Sequence, residues 1–202
     1  MKTLFDPKLT FEEAEELIRN GADVNEQNGI GETPLFKVMN SKIARLLINH
    51  GADVNHERTL SFTPLMVASN IQIIKVLVQN GADIHKRSSY GHSCLHMTNN
   101  PKIINYFLDL GVDINIRMYI GTNMLYNASK KFAIYLIEKG ILPSTVDDYL
   151  KYRDLFTKEQ QMAFDTFMNL TNNNDDFFQM CLSYKESIKN DVKIDIKDMD
   201  IL

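Results

Sequence analysis

The chain has 202 residues, 44% of them hydrophobic and 24% charged, which is the make-up of an ordinary globular protein long enough to bury a sizeable core in one domain, or in one domain plus an appendage. Its net charge of −4 is uneven: residues 1–140 hold 15 Lys and Arg against 14 Asp and Glu, while residues 141–202 hold 7 against 12, so the strong basic excess of a phosphate-backbone binder is missing. Two cysteines, Cys94 and Cys181, are too few for a disulfide framework and suit a reducing cytosol; no stretch approaches the ~18 apolar residues of a membrane span, and residues 1–6 predict no secretion signal.

Taken in chain order, the first expected element is a helix opened by Thr10-Phe11-Glu12-Glu13, the spacing of a capping box. Its glutamates, Glu12, Glu13, Glu15 and Glu16, mark a solvated face, so residues 1–20 read as an N-terminal cap.

Residues 21–144 then repeat. Gly21-Ala22-Asp23-Val24-Asn25 recurs as Gly51-Ala52-Asp53-Val54-Asn55, as Gly81-Ala82-Asp83-Ile84-His85 and as Gly111-Val112-Asp113-Ile114-Asn115, at a spacing of 30 residues each time. A decayed copy, Gly140-Ile141-Leu142-Pro143-Ser144, arrives one residue early. A second motif keeps step: Gly31-Glu32-Thr33-Pro34-Leu35 is echoed by Ser61-Phe62-Thr63-Pro64-Leu65, Gly91-His92-Ser93-Cys94-Leu95 and Gly121-Thr122-Asn123-Met124-Leu125.

The residue types predict a helical pair per repeat. Thr33 is placed to cap a first helix whose opening position, Pro34, needs no N–H. Ile43, Leu46 and Leu47 give a second helix its buried stripe, and Gly51 ends it in a left-handed conformation. Residues 52–62 carry an extended finger to the next repeat.

Two motifs recurring in fixed phase resemble the ankyrin repeat over about residues 10–144. The resemblance implies an all-α ankyrin-repeat solenoid of about four repeats, with finger loops between helical pairs. Ankyrin repeats run about 33 residues, and these are shorter. Aligned on Thr33 and Gly51, the deletion falls between the two helices, where Asn40, Asn70 and Asn100 recur. Asn tolerates a left-handed turn, so these three are expected to have positive φ and to reverse the chain in a single residue. The fourth turn, around Ser129, lacks this Asn.

After Pro143 the repeat stops. A short helix is expected at 145–153, a second after the capping box Thr157-Lys158-Glu159-Gln160 with Met162, Phe164, Phe167, Met168 and Leu170 apolar, and a third over 177–188 burying Phe178, Cys181, Leu182 and Ile188. Residues 145–189 read as a C-terminal helical cap, and 190–202 as an acidic tail, either a strand or disordered chain.

Chemistry is harder to find. His85, His92 and His96 lie near Cys94, but no metal-ligand spacing is recognisable, and the repeat itself accounts for His85 and His96. No nucleophile elbow, dinucleotide fingerprint, phosphate loop or zinc-protease motif occurs. Asp147-Asp148 and Asp175-Asp176 are better explained by helix dipoles than by acid–base work. The expectation is no enzyme, no metal and no cofactor.

The resemblance therefore implies a non-catalytic protein-binding scaffold that sequesters or inhibits one protein partner on its concave, finger-bearing face, for example as an immunity protein blocking a toxin. The alternative is an effector or viral adaptor that captures a host protein. Nucleic acid, small molecules and membranes are not expected partners, and the expected location is the cytoplasm, of the producing cell or of a host cell. Superposing the repeats puts Ile30, Leu60, Tyr90 and Ile120 at one finger-tip position, where solvent would favour polar residues. Phe62 and Tyr119 add aromatic surface and Arg87 and Arg117 add charge, so these eight residues are the candidate anchors. The competing reading is that each apolar tip packs on the neighbouring finger.

Overall fold

Every regular element among the described residues, 2–171 and 173–189 of this computed structural model, is helical. The chain divides into two compact units, Met1–Val112 and Asp113–Leu202, each built around its own helices. The expected acidic tail, 190–202, lies outside the described residues.

In the first unit, α1 (Phe11–Arg19) starts on a complete capping box: Thr10 Oγ1 accepts the Glu13 N–H at 3.2 Å, and Glu13 Oε2 accepts the Thr10 N–H at 3.0 Å. Three helices of nine residues follow at the repeat spacing: α2 (Ser41–Asn49), α4 (Ile71–Gln79) and α5 (Pro101–Asp109). Their stripes form the core, with Ile43 and Leu47, Ile74 and Leu77, and Ile104 and Phe107 buried. A fully buried side chain of this size contributes roughly 1.5–3 kcal/mol, which is why the stripe is kept in every copy. Each helix stops at its glycine. Gly51, at φ +90°, lets its N–H reach Ile48 O and the Ala52 N–H reach Leu47 O, the paired bonds that close a helix end.

The first helix of each repeat is shorter than the sequence suggested. It is a single 3-10 turn at Pro34–Phe36 and at Cys94–Met97, and one α-turn, α3 (Pro64–Val67), between them. Thr33 and Thr63 make no capping bond, and their buried hydroxyls have no hydrogen-bond partner. In the third repeat the Ser93 N–H donates to His96 Nδ1 at 3.1 Å, with Ser93 Oγ 2.8 Å from the same nitrogen. Phe36 and Met66 hold the equivalent of His96 and offer no such acceptor.

The three asparagines correct the expectation of left-handed turns. Asn40, Asn70 and Asn100 have φ of −121°, −100° and −86° and are helix N-caps. Their Oδ1 atoms accept the N–H groups of Lys42, Gln72 and Lys102 at 2.8, 2.8 and 3.0 Å. Extended residues such as Ala68 and Thr98, rather than one reversal, carry the chain from the first helical turn to the second helix. Asn suits both a left-handed turn and a cap, and the cap wins because an orphan helical N–H stands two residues away.

The second unit holds the fourth copy of the sequence repeat and the C-terminal helices that follow it. Here α6 (Lys130–Glu138) is capped by Ser129, whose Oγ accepts the Phe132 N–H at 3.3 Å. Then come α7 (Val146–Tyr152), α8 (Lys158–Leu170) and α9 (Asn174–Lys189). Tyr149, Phe156, Phe164 and Phe177 pack ring on ring at the centre, with Phe164 5.5 Å from Tyr149 in an edge contact. Polar bonds join these helices to residues 126–140: Tyr152 Oη donates to Ala128 O, Lys185 Nζ to Gly140 O at 2.7 Å, and Lys151 Nζ to Tyr126 O at 3.4 Å. Ser144 Oγ accepts the Asn123 N–H at 3.1 Å and donates to the buried Asp148 at 2.6 Å.

Some expected core positions face outward. Met162, Leu170 and Ile188 are exposed. Gln161 takes the buried place next to Met162, because its amide donates to Phe156 O at 2.8 Å and Arg153 O at 3.1 Å and so satisfies carbonyls that a methionine would strand. Asp147 and Asp148, and Asp175 and Asp176, stand in the first turns of α7 and α9, where a helix dipole favours them.

Candidate binding surface

The fingers share one local construction. In the first, the Asn28 N–H donates to Glu32 O at 3.0 Å and the Gly31 N–H to Asn28 O at 2.9 Å. The same two bonds occur at Arg58, Ser88 and Met118 in the other three. This tight turn pushes two residues outward at each tip. Ile30 is 49% exposed, Leu60 44% and Tyr90 56% in the first unit; Tyr119 is 66% and Ile120 75% exposed in the second.

Within the first unit the fingers are joined by backbone. Thr59 gives both its N–H and its hydroxyl to Ile30 O, at 3.1 and 2.8 Å, and Ser89 gives its N–H to Leu60 O at 3.0 Å. The tip carbonyls are thus used internally while Ile30, Leu60 and Tyr90 keep about half of their side-chain surface open. Below the fingers, asparagine staples hold the repeats in register. Asn25 Nδ2 donates to Gly51 O at 2.8 Å while its Oδ1 accepts the Asp53 N–H at 2.9 Å. Asn115 does the same in the second unit, to Gly140 O and from Leu142 N.

The remaining candidate anchors are placed differently. Phe62 is buried, 5.9 Å from the His92 ring and under the Arg58 guanidinium at 4.9 Å. Arg87 is half-buried and clamps its own tip, with Nε and Nη2 donating to Gly91 O at 3.2 and 3.0 Å. Arg117 repeats that clamp on Gly121 O, pairs with Asp175 at 2.5 Å and lies over the Phe178 ring at 4.5 Å, so it ties the fourth finger to α9. The arrangement leaves Ile30, Leu60, Tyr90, Tyr119 and Ile120 as the outward members. Sequence reasoning missed Met39 and Met97, 60% and 41% exposed on the first-helix side, where periodicity alone gave no reason to separate them from core methionines.

Two carboxylates on these fingers have cationic partners. Glu32 is buried between Lys37 at 2.8 Å and Arg58 at 3.6 Å; burial alone would raise its pKa, but Lys37, Asn28 and Arg58 outweigh it and hold it below the usual value. Glu57 is lowered by its hydrogen bond to Lys86, at 2.5 Å, and then by Ser61. Both cysteines are buried, and burial pushes the Cys94 thiol up to about 12 and the Cys181 thiol up as well. Among the described residues, no group of three His, Cys, Asp or Glu could hold a metal ion, and no helix is long and apolar enough to cross a membrane.

Residues 9–88 match the family model of ankyrin repeats (3 copies). No curated protein matches the chain. Ankyrin repeats are generally protein-interaction scaffolds, and the family is typically non-catalytic.

Proposed function

Taking as premise that the chain is an ankyrin-repeat protein, we propose that it binds one protein partner on its finger tips and acts by sequestering it, without catalysis. The observation that carries this reading is the row of half-exposed apolar tips in the first unit, Ile30, Leu60 and Tyr90, fixed to one another through backbone bonds. Apolar side chains held out in a row are surface that association would cover. A row already held in place loses little ordering entropy when it binds. In the second unit Tyr119 and Ile120 are likewise exposed at that unit's own finger tip. Phe62, Arg87 and Arg117 then act as supports of the tips rather than as contacts.

In biological terms sequestration corresponds to an immunity protein that blocks a toxin in the producing cell's cytoplasm. Capture of a host protein by an effector or viral adaptor is the same physical act in another cell. Site-specific photo-crosslinking in the native cell tests the surface. A crosslinker at Leu60 or Tyr90 is expected to trap one protein in a defined ratio, and one at Gln72, exposed on α4, to trap none. A defined adduct from Gln72 alone would place the contact on the second helices and end this reading.

A further inference from the structure

Of the chain's five histidines, His50 and His85 are exposed, and His56, His92 and His96 are half-buried. The half-buried three differ in what an added proton would meet. His56 Nε2 lies 2.9 Å from Gly31 O, an atom that only accepts, so this ring donates and a second proton on Nδ1 leaves the bond intact. His92 Nδ1 lies 3.2 Å from Ser88 Oγ, a hydroxyl that turns either to donate or to accept. His96 Nδ1 lies 3.1 Å from the Ser93 backbone nitrogen, whose N–H only donates. This nitrogen is therefore an acceptor, and it can be one only while it carries no proton.

A proton on His96 Nδ1 would set donor against donor. Ser93 Oγ, 2.8 Å from the same nitrogen, can turn to accept that proton, but the Ser93 N–H is then left without its acceptor. Ser93 is fully buried, so water does not replace the lost bond. The bond opens the Cys94–Met97 turn, which packs against α3 and buries Cys94 and Leu95. In the first two repeats Phe36 and Met66 stand at the position of His96 and do not titrate.

The charges around the turn do not favour an imidazolium. The facing α3, Pro64–Val67, carries no titratable side chain. The third finger brings the His92 ring to 6.1 Å from that of His96, and the same finger carries Arg87 on Gly91 O. Behind His92 stands Phe62 from the second finger, with the Arg58 guanidinium 4.9 Å from its centroid. Glu57 of that finger is paired with Lys86. Within the turn the buried Cys94 thiol is neutral; the carboxylate whose charge reaches it is Asp83, which is exposed and accepts the His85 N–H at 2.8 Å.

We propose that the third repeat carries an acid-sensitive switch: His96 caps the turn at Ser93 while its Nδ1 is unprotonated, and protonation there releases the Cys94–Met97 turn. A histidine in an unfolded chain takes up its proton near pH 6.5. The closed turn binds that proton less readily, so the stability it contributes is fully present above about pH 6.5 and is lost as pH falls below it. The switch is local to the third repeat and acts whatever the finger tips bind.

The test uses the full chain and follows native-state hydrogen exchange of the Cys94–Thr98 amides from pH 7.5 to 5.5, corrected for intrinsic exchange. His96→Gln is the reference, because glutamine at the third position of a capping box accepts the same N–H and does not titrate. Protection of these amides in wild type should fall about tenfold more than in His96→Gln, the linkage of one proton over that range. His92→Gln should keep the wild-type fall. An equal fall in wild type and His96→Gln, or a fall abolished by His92→Gln instead, would overturn the proposal. Nitrogen-15 NMR of the wild-type imidazoles tests it without any variant. In the folded protein His96 Nδ1 should remain unprotonated at pH 5.5. A His96 ring that takes up its proton near pH 6.5 while these amides stay as protected as at pH 7.5 would contradict the switch.

Discussion

Asn55 and Asp83 are joined across the boundary of two repeats, the Asn55 Oδ1 accepting the Asp83 N–H at 2.8 Å while its Nδ2 donates to Gly81 O at 2.9 Å. A carboxamide is a donor and an acceptor on one rigid plane, so it satisfies both backbone groups left open where the second helix ends. Asn55→Ala should cost about 1–2 kcal/mol, two exposed bonds at roughly 0.5–1.5 kcal/mol each. Asn55→Asp keeps the acceptor, loses the donor and should cost about half as much. Urea unfolding measures both; equal stability of all three proteins would show that the staple is decoration.

The corrected turns make their own prediction. If Asn70 is an N-cap, Asn70→Ser should stay within a few tenths of a kcal/mol of wild type, and Asn70→Ala should lose about 1 kcal/mol. A left-handed Asn70 would instead reward glycine and penalise serine. The order of the serine, alanine and glycine variants in denaturant midpoint decides between the two.

Asp165 sets an acid limit on the C-terminal helices. Its carboxylate accepts from Arg153, with Nε at 3.0 Å, and from Tyr149 Oη at 2.6 Å, and these bonds lower its pKa to about 2. An aspartate in the unfolded chain titrates near 3.9. The folded state therefore binds this proton less readily, so the pair stabilises the fold fully above about pH 4 and is lost as pH falls towards about 2. Stability of wild type should drop through that window, and Asp165→Asn should show a shallower drop. Parallel profiles would remove Asp165 from the account.

Cutting the chain after Ser144 removes α7, α8 and α9 and the bonds from Tyr152, Lys185 and Lys151 to the fourth repeat. Leu125, Leu136 and Ile141, just before the cut, are buried in the whole chain. The 1–144 fragment should aggregate, or lose the cooperative unfolding of α6 seen by hydrogen exchange, because a terminal repeat needs a polar outer face. A soluble fragment with unchanged exchange in α6 would show that these helices serve another purpose.

Much of the fold was legible because the repeat states each rule several times. The glycines at 51 and 81, the Ile-Leu stripes and the capping boxes at Thr10 and Thr157 each name one physical solution, and the structure uses it. What failed was ambiguous chemistry. Asn40 fits two roles, and only the position of the next helical N–H separates them. Met162 outranks Gln161 by hydrophobicity, but the carbonyls of Arg153 and Phe156 call for an amide. On the candidate surface, the apolar column at 30, 60 and 90 was visible as a broken rule, whereas the inward turn of Phe62 and the self-clamping of Arg87 depend on neighbours that no single repeat reveals. The left-handed backbone at Leu60 and Ser61, with φ of +67° and +57°, had one sequence signal, a serine where the other fingers carry glycine.

The most direct test of the central claim, that the apolar finger tips are where a protein binds, is the double variant Leu60→Asp, Tyr90→Asp. Both side chains are about half exposed, and Asp is at ease in the left-handed backbone at position 60. Its melting temperature should therefore stay within about 2 °C of wild type, the effect of a surface change. Capture of the native partner, by tagged protein in extract of the cell that makes it, should fall below detection. Capture that survives in a variant as stable as wild type would contradict the claim, and binding lost only together with stability would show that the tips pack the fingers rather than hold a partner.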